Sequence, residues 1–259
     1  MMVVMNRIKQ LFQDKKDILS IYYTAGYPQL GDTVPILESL EEAGADLVEI
    51  GIPFSDPLAD GPTIQHSGQR ALENGMSLQV LFKQLEDVRT KVKMPLVLMG
   101  YINTVYKFGI ENFAKRCSEV GVDGVILPDL PFQVYLDEYK ETFDRYGVSN
   151  VFLITPQTPE ERIKLIDEKT NGFIYMVSSA SVTGAKKGLS DQQLAYFERV
   201  SKLKLTNPAL IGFGISDRAS YIETCKYADG AIIGSAFVKL LGEAGDMHAH
   251  IKSFIQGIK

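Results

Sequence analysis

The chain has 259 residues, with 27 Lys+Arg against 32 Asp+Glu and a net charge of −5. Hydrophobic residues make up 45% and charged residues 23%, an ordinary globular balance that excludes an intrinsically disordered chain. The acidic balance argues against nucleic acid as the main partner, because phosphate backbones select basic surfaces.

In chain order, the N-terminal MMVVMNRIKQLFQDKK reaches charged residues after too short an apolar run for a signal peptide. No apolar run approaches a membrane span, and the expected location is the cytoplasm. Short β-rich apolar runs then recur at 18–23, 47–50, 96–99, 124–127, 151–154, 173–177, 209–213 and 230–233. Segments with helical periodicity separate them. In 33–43, Ile36, Leu37, Leu40 and Ala43 share one face, with Asp32 as candidate N-cap and Gly44 as candidate C-terminal turn. A repeated entry, Ala-Gly-Ala-Asp at 43–46, Val-Gly-Val-Asp at 120–123 and Tyr-Ala-Asp at 227–229, precedes three of the runs. It marks one βα unit used many times. Eight such units in a chain of this length favour a closed (β/α)8 barrel over an open doubly wound sheet, although periodicity does not show closure. Asp46, Asp123 and Asp229 then lie at the end of the barrel opposite the chemistry, as turn stabilisers.

Candidate chemistry gathers where runs lead into βα loops. Glu49 stands inside an apolar run, between Val48 and Ile50. A carboxylate there is costly unless paired or functional, and one facing the barrel mouth is a natural general acid/base. The following loop carries Asp56 and Asp60 among prolines, stiff enough to hold a second carboxylate over the mouth. Its middle, 54–57, offers Phe54 and Asp56 as an exposed contact surface; a stiff solvent loop is the plainer alternative. After the seventh and eighth runs come Gly212-Phe213-Gly214 and Gly234-Ser235, at the two strands where this fold commonly binds phosphate. The segment 178–188, rich in small residues and glycine, has the composition of a lid.

Several chemistries lack their residues. No run contains a lysine for a Schiff base. The three histidines, His66, His248 and His250, lie at no strand end, so no metal is expected. Cys117 and Cys225 stand in no C-x-x-C and read as reduced thiols. Neither a P-loop nor G-x-G-x-x-G supports nucleotide binding.

The sequence E-I-G-I-P-F-S-D-P-L-A-D-G-P at 49–62 resembles the tryptophan synthase α subunit family. T-A-G-Y-P at 24–28, P-D-L-P at 128–131, V-T-G at 182–184 and G-F-G-I at 212–215 follow the same resemblance across essentially the whole chain. It implies one (β/α)8 barrel domain over 1–259, expected here with an extra N-terminal helix. It also implies retro-aldol cleavage of indole-3-glycerol phosphate to indole and glyceraldehyde 3-phosphate, with neither metal nor organic cofactor. By motif position, Glu49 is the implied acid/base and Asp60 the group facing the indole N–H. Tyr175 is implied beside the substrate, Thr183 over Asp60, and Gly184, Phe213, Gly214, Gly234 and Ser235 around the phosphate. The implied partner is a β subunit in an α2β2 heterotetramer, meeting Pro53, Phe54 and Asp56; pyridoxal phosphate is expected only in that partner. Tyr22 stands where the family often has an indole-pocket Phe, and Gly100 and Thr104 also depart from many relatives. The alternatives are a free-standing lyase that releases indole, and a catalytically silent phosphate-binding regulatory subunit.

Overall fold

The computed structural model describes residues 6–57, 60–178 and 189–259. Eight parallel strands close into a barrel in sequential order. They are β1 (Ile18–Thr24), β2 (Leu47–Gly51), β3 (Leu96–Met99), β4 (Gly124–Ile126), β5 (Ser149–Ile154), β6 (Ile174–Val177), β7 (Ala209–Gly212) and β8 (Gly230–Ile233). The seam is made by β1, which pairs with β2 on one side and β8 on the other. The barrel is closed, as the eight repeated units favour, and is not an open sheet.

Alternation along each strand makes two cores. Leu19, Ile21, Val48 and Ile50 face outward into the layer shared with the helices. Ile18, Leu47, Val97, Ile126, Val151, Tyr175, Leu210 and Ile232 fill the interior. Helix α1 (Arg7–Asp14) closes the bottom: Ile8 is fully buried among the interior residues, and Leu11 and Phe12 pack against them. Its cap is Asn6, whose side chain accepts from the Ile8 N–H at 2.9 Å.

Helix α2 (Thr33–Ala43) buries Ile36, Leu37 and Leu40 and ends at Gly44, which takes the left-handed φ of +94°. Asp32 does not cap it. Its backbone is already helical, and its carboxylate turns back to accept the Gln29 N–H at 3.0 Å.

The repeated aspartates lie at the bottom and bind across strands. Asp46 accepts the Leu19 N–H at 2.9 Å, Asp123 the Leu96 N–H at 3.0 Å and Asp229 the Ala209 N–H at 2.9 Å. Each therefore satisfies a backbone donor at the start of the neighbouring strand. Asp123 also pairs with Arg89 at 2.7 Å and Arg7 at 2.9 Å, tying α1 to the barrel. Asp123→Ala leaves a buried N–H without its acceptor and the mostly buried Arg89 without its carboxylate, although Arg89 keeps its bonds to the Gly121, Val92 and Met94 carbonyls. Breaking a buried pair costs about 3–5 kcal/mol, so Tm should fall by roughly 6–20 °C at this chain length. A thermal melt checks this, and an unchanged Tm would show that the clamp contributes nothing.

Among the described residues, no helix is long and apolar enough to cross a membrane.

Candidate active site

Glu49 shares the inward face of β2 with Leu47 and is completely buried. The Ser20 hydroxyl of β1 donates to its Oε1 at 3.1 Å. Its Oε2 has no hydrogen-bond partner among the described residues. Burial disfavours the charged form and pushes the carboxyl up to about 8, with the Ser20 hydrogen bond opposing the rise.

Tyr22 of β1 lies opposite Glu49 in the strand register. Tyr175 of β6 completes the surroundings, and burial pushes both phenols well above their ordinary value. The negative charges of Glu49 and Asp60 push the same way at both tyrosines, so the four side chains form one electrostatic cluster. Two glycines make room for the tyrosines. A Cβ at Gly51 would meet the Tyr22 hydroxyl at 2.1 Å, and one at Gly212 would meet that of Tyr175 at 2.3 Å.

Asp60 comes from the loop between β2 and helix α3 (Pro62–Glu73). Tyr101 donates to its Oδ2 at 3.4 Å, a long hydrogen bond. Burial raises the Asp60 carboxyl to about 6 against the lowering effect of Tyr101. The same Tyr101 ring stacks on Phe54, centroids 4.9 Å apart and planes 25° from parallel. The expected contact surface is therefore narrower than the sequence suggested. Pro53 is buried and Phe54 half-buried on Tyr101, while Ser55 and Asp56 are exposed.

At the end of β7, Phe213 and Gly214 both take left-handed backbone, with φ of +69° and +85°. Such a conformation in a non-glycine residue costs on the order of 1 kcal/mol and clusters at binding sites. The Ser178 hydroxyl, at the end of β6, donates to the Phe213 carbonyl and holds the turn. Phe213 is 39% exposed at the mouth. Gly234 is half-buried at the end of β8, and Ser235 opens the short helix Ser235–Leu241. Thr183 and Gly184, with most of the expected lid, lie outside the described residues.

The model of the tryptophan synthase alpha chain family matches residues 8–256. The chain belongs to that family. The tryptophan synthase alpha chain of Flavobacterium johnsoniae is 58% identical over 255 residues, covering 98% of this chain and all of its own length. Among solved structures, the tryptophan synthase subunit alpha of Legionella pneumophila superposes with a TM-score of 0.89 at 31% identity, covering 98% of this chain and 97% of its own. Tryptophan synthase of M. tuberculosis, in an aminoacrylate-bound form, gives 0.85 at 27% identity, covering 98% of each chain. As a tryptophan synthase alpha chain, the protein is a carbon–carbon lyase of tryptophan biosynthesis that cleaves indole-3-glycerol phosphate.

Two contributors to this site, Ser20 and Tyr101, have no role assigned from the sequence, and Gly51 and Gly212 stand in recognised motifs without any sign of their packing against the tyrosines. Ser20 had a usable signal, because Ser20, Tyr22 and Thr24 alternate with outward apolar residues along β1 and must share the inward face. Tyr101 had none, since it meets Asp60 across 41 positions of chain. Gly100, a departure from many relatives, sits tightly under Ile52, where a Cβ would come within 3.0 Å of the Ile52 Cβ.

Proposed function

We propose that Glu49 and Asp60 perform the cleavage together. The observation that carries this is the buried Glu49 carboxyl with one oxygen unpartnered, which holds its proton near neutral pH. Protonated Glu49 gives its proton to indole C3, and the ring becomes a positively charged indolenine. As a carboxylate, Glu49 then takes the proton of the hydroxyl on the carbon attached to C3. The C–C bond breaks, its electron pair returns to the ring, and the hydroxyl oxygen becomes the aldehyde oxygen of glyceraldehyde 3-phosphate. Indole leaves with the proton on C3, so Glu49 ends the cycle protonated. Asp60, ionised, faces the indole N–H and stabilises the ring's transient positive charge. Tyr22 and Tyr175 flank the indole. Backbone N–H groups of Phe213, Gly214, Gly234 and Ser235 hold the phosphate; Gly184 and Thr183, outside the described residues, are further substrate-binding residues of this proposal. The carboxylates supply the acid–base chemistry without a cofactor.

The partner in this proposal is a β subunit carrying pyridoxal phosphate, in an α2β2 assembly in the cytoplasm, with exposed Asp56 and the edge of Phe54 at the contact. The deciding experiment measures indole release from indole-3-glycerol phosphate with and without a tryptophan synthase β subunit. The expected result is slow release alone and faster release with the partner. Asp56→Ala should weaken that stimulation and leave the rate without partner unchanged. Full activity alone, unchanged by a partner, identifies a free-standing lyase. No indole under either condition rejects the catalytic reading.

A further inference from the structure

Among the described residues, Glu49 is held on one side only. The barrel interior around it is apolar: Leu47 of the same strand and Val97 of β3, its register partner, belong to one cluster. The hydroxyl of Ser20, itself fully buried, donates to Oε1. With Oε1 engaged and Oε2 unpartnered, the two carboxyl oxygens are not equivalent.

We propose that Ser20 is the positioning residue of Glu49: its hydrogen bond fixes the carboxyl rotation so that Oε2 is the oxygen that exchanges protons with the substrate. This rests on Glu49 being the acid/base. A carboxyl without that anchor rotates freely about its last bond, and its reactive oxygen spends less time in line with C3. The hydrogen bond also favours the ionised form, so its loss raises the proton affinity of Glu49 further. The other groups near Glu49 do not offset this change. Tyr22 of β1 and Tyr175 of β6 hold their protons well above neutral pH, and Asp60, on the loop beside Tyr101, is ionised above about 6. Asp60 therefore contributes the same charge with or without the Ser20 hydroxyl.

The test is a kcat and KM profile against pH for Ser20→Ala, Ser20→Thr and Ser20→Cys, each with a thermal melt. Ser20→Ala removes one oxygen and adds nothing. It should lower kcat by roughly 10-fold or more, as expected for a lost hydrogen bond to a charged group, while KM changes less than about twofold. The alkaline fall in kcat/KM should move to higher pH. Ser20→Thr, which keeps the hydroxyl, should restore both rate and profile, and Ser20→Cys, a weaker donor, should fall between. In a chain already carrying Glu49→Gln, Ser20→Ala should cost little more, because the two residues act as a unit. Two results overturn the proposal: a Ser20→Ala profile identical to the parent, or an equal loss of rate in the Glu49→Gln background. If Glu49→Gln alone keeps full activity, the underlying assignment of Glu49 fails instead. Should Ser20→Ala not fold, Ser20→Cys with a parental kcat and profile rejects the positioning role.

Discussion

Glu49→Gln should reduce kcat by at least about 10²–10⁴-fold, the usual contribution of a positioned acid/base, while the barrel remains folded. Glutamine keeps the shape and an acceptor for the Ser20 hydroxyl but moves no proton. The same variant should also gain stability in alkaline solution. The folded carboxyl, near 8, binds its proton more tightly than the ordinary 4.5 of an exposed glutamate. Between those values the folded state holds more protons than the unfolded state, so parental stability falls as pH rises through that window and is lowest above about 8. The difference corresponds to at most ~5 kcal/mol. A neutral amide removes this pH dependence, so Tm of Glu49→Gln relative to the parent should be higher at pH 9 than at pH 5. Parental turnover would remove Glu49 from the chemistry, and a Tm difference independent of pH would show that its carboxyl is not perturbed.

Asp60→Asn should lower kcat by roughly 10²–10³-fold, the size of effect seen when one electrostatic stabiliser of a transition state is lost. KM should change much less, because the positive charge that Asp60 faces exists only during the reaction. The parental kcat/KM profile should be bell-shaped. Asp60 must be ionised, so activity falls as pH drops through about 6. Glu49 must begin protonated, so activity falls as pH rises through about 8. Asparagine does not titrate, and the acid limb should vanish in Asp60→Asn while the alkaline limb stays. A kcat/KM profile over pH 5–9 tests the two limbs, and separate kcat and KM values test the rate loss; a rise in KM with kcat unchanged would make Asp60 a binding residue only.

The amino-acid sequence alone determined the rhythm of the barrel. All eight expected runs are strands, with six ends displaced by one or two residues and the others unmoved. Strand and helix periods are local properties, and turn residues such as Gly44 punctuate them. The bottom aspartates were equally legible, because each sits at a fixed offset from its own strand. Glu49 was visible as a charge in an apolar run, and Asp60 as part of a dense local motif. The tertiary structure decided what each of these residues meets. Spacing tells which face of a strand a side chain occupies, but not which residue of the next strand lies beside it. That depends on the stagger of the closed barrel, which brings Ser20 to Glu49 across 29 positions and Tyr101 to Asp60 across 41. It likewise buries Pro53 and lays Phe54 on Tyr101, although the loop's composition alone reads as exposed. The proton affinity of Glu49 belongs to this second class: it is set by the removal of water around the carboxyl and by one hydroxyl beneath it, both of which exist only once the barrel has closed.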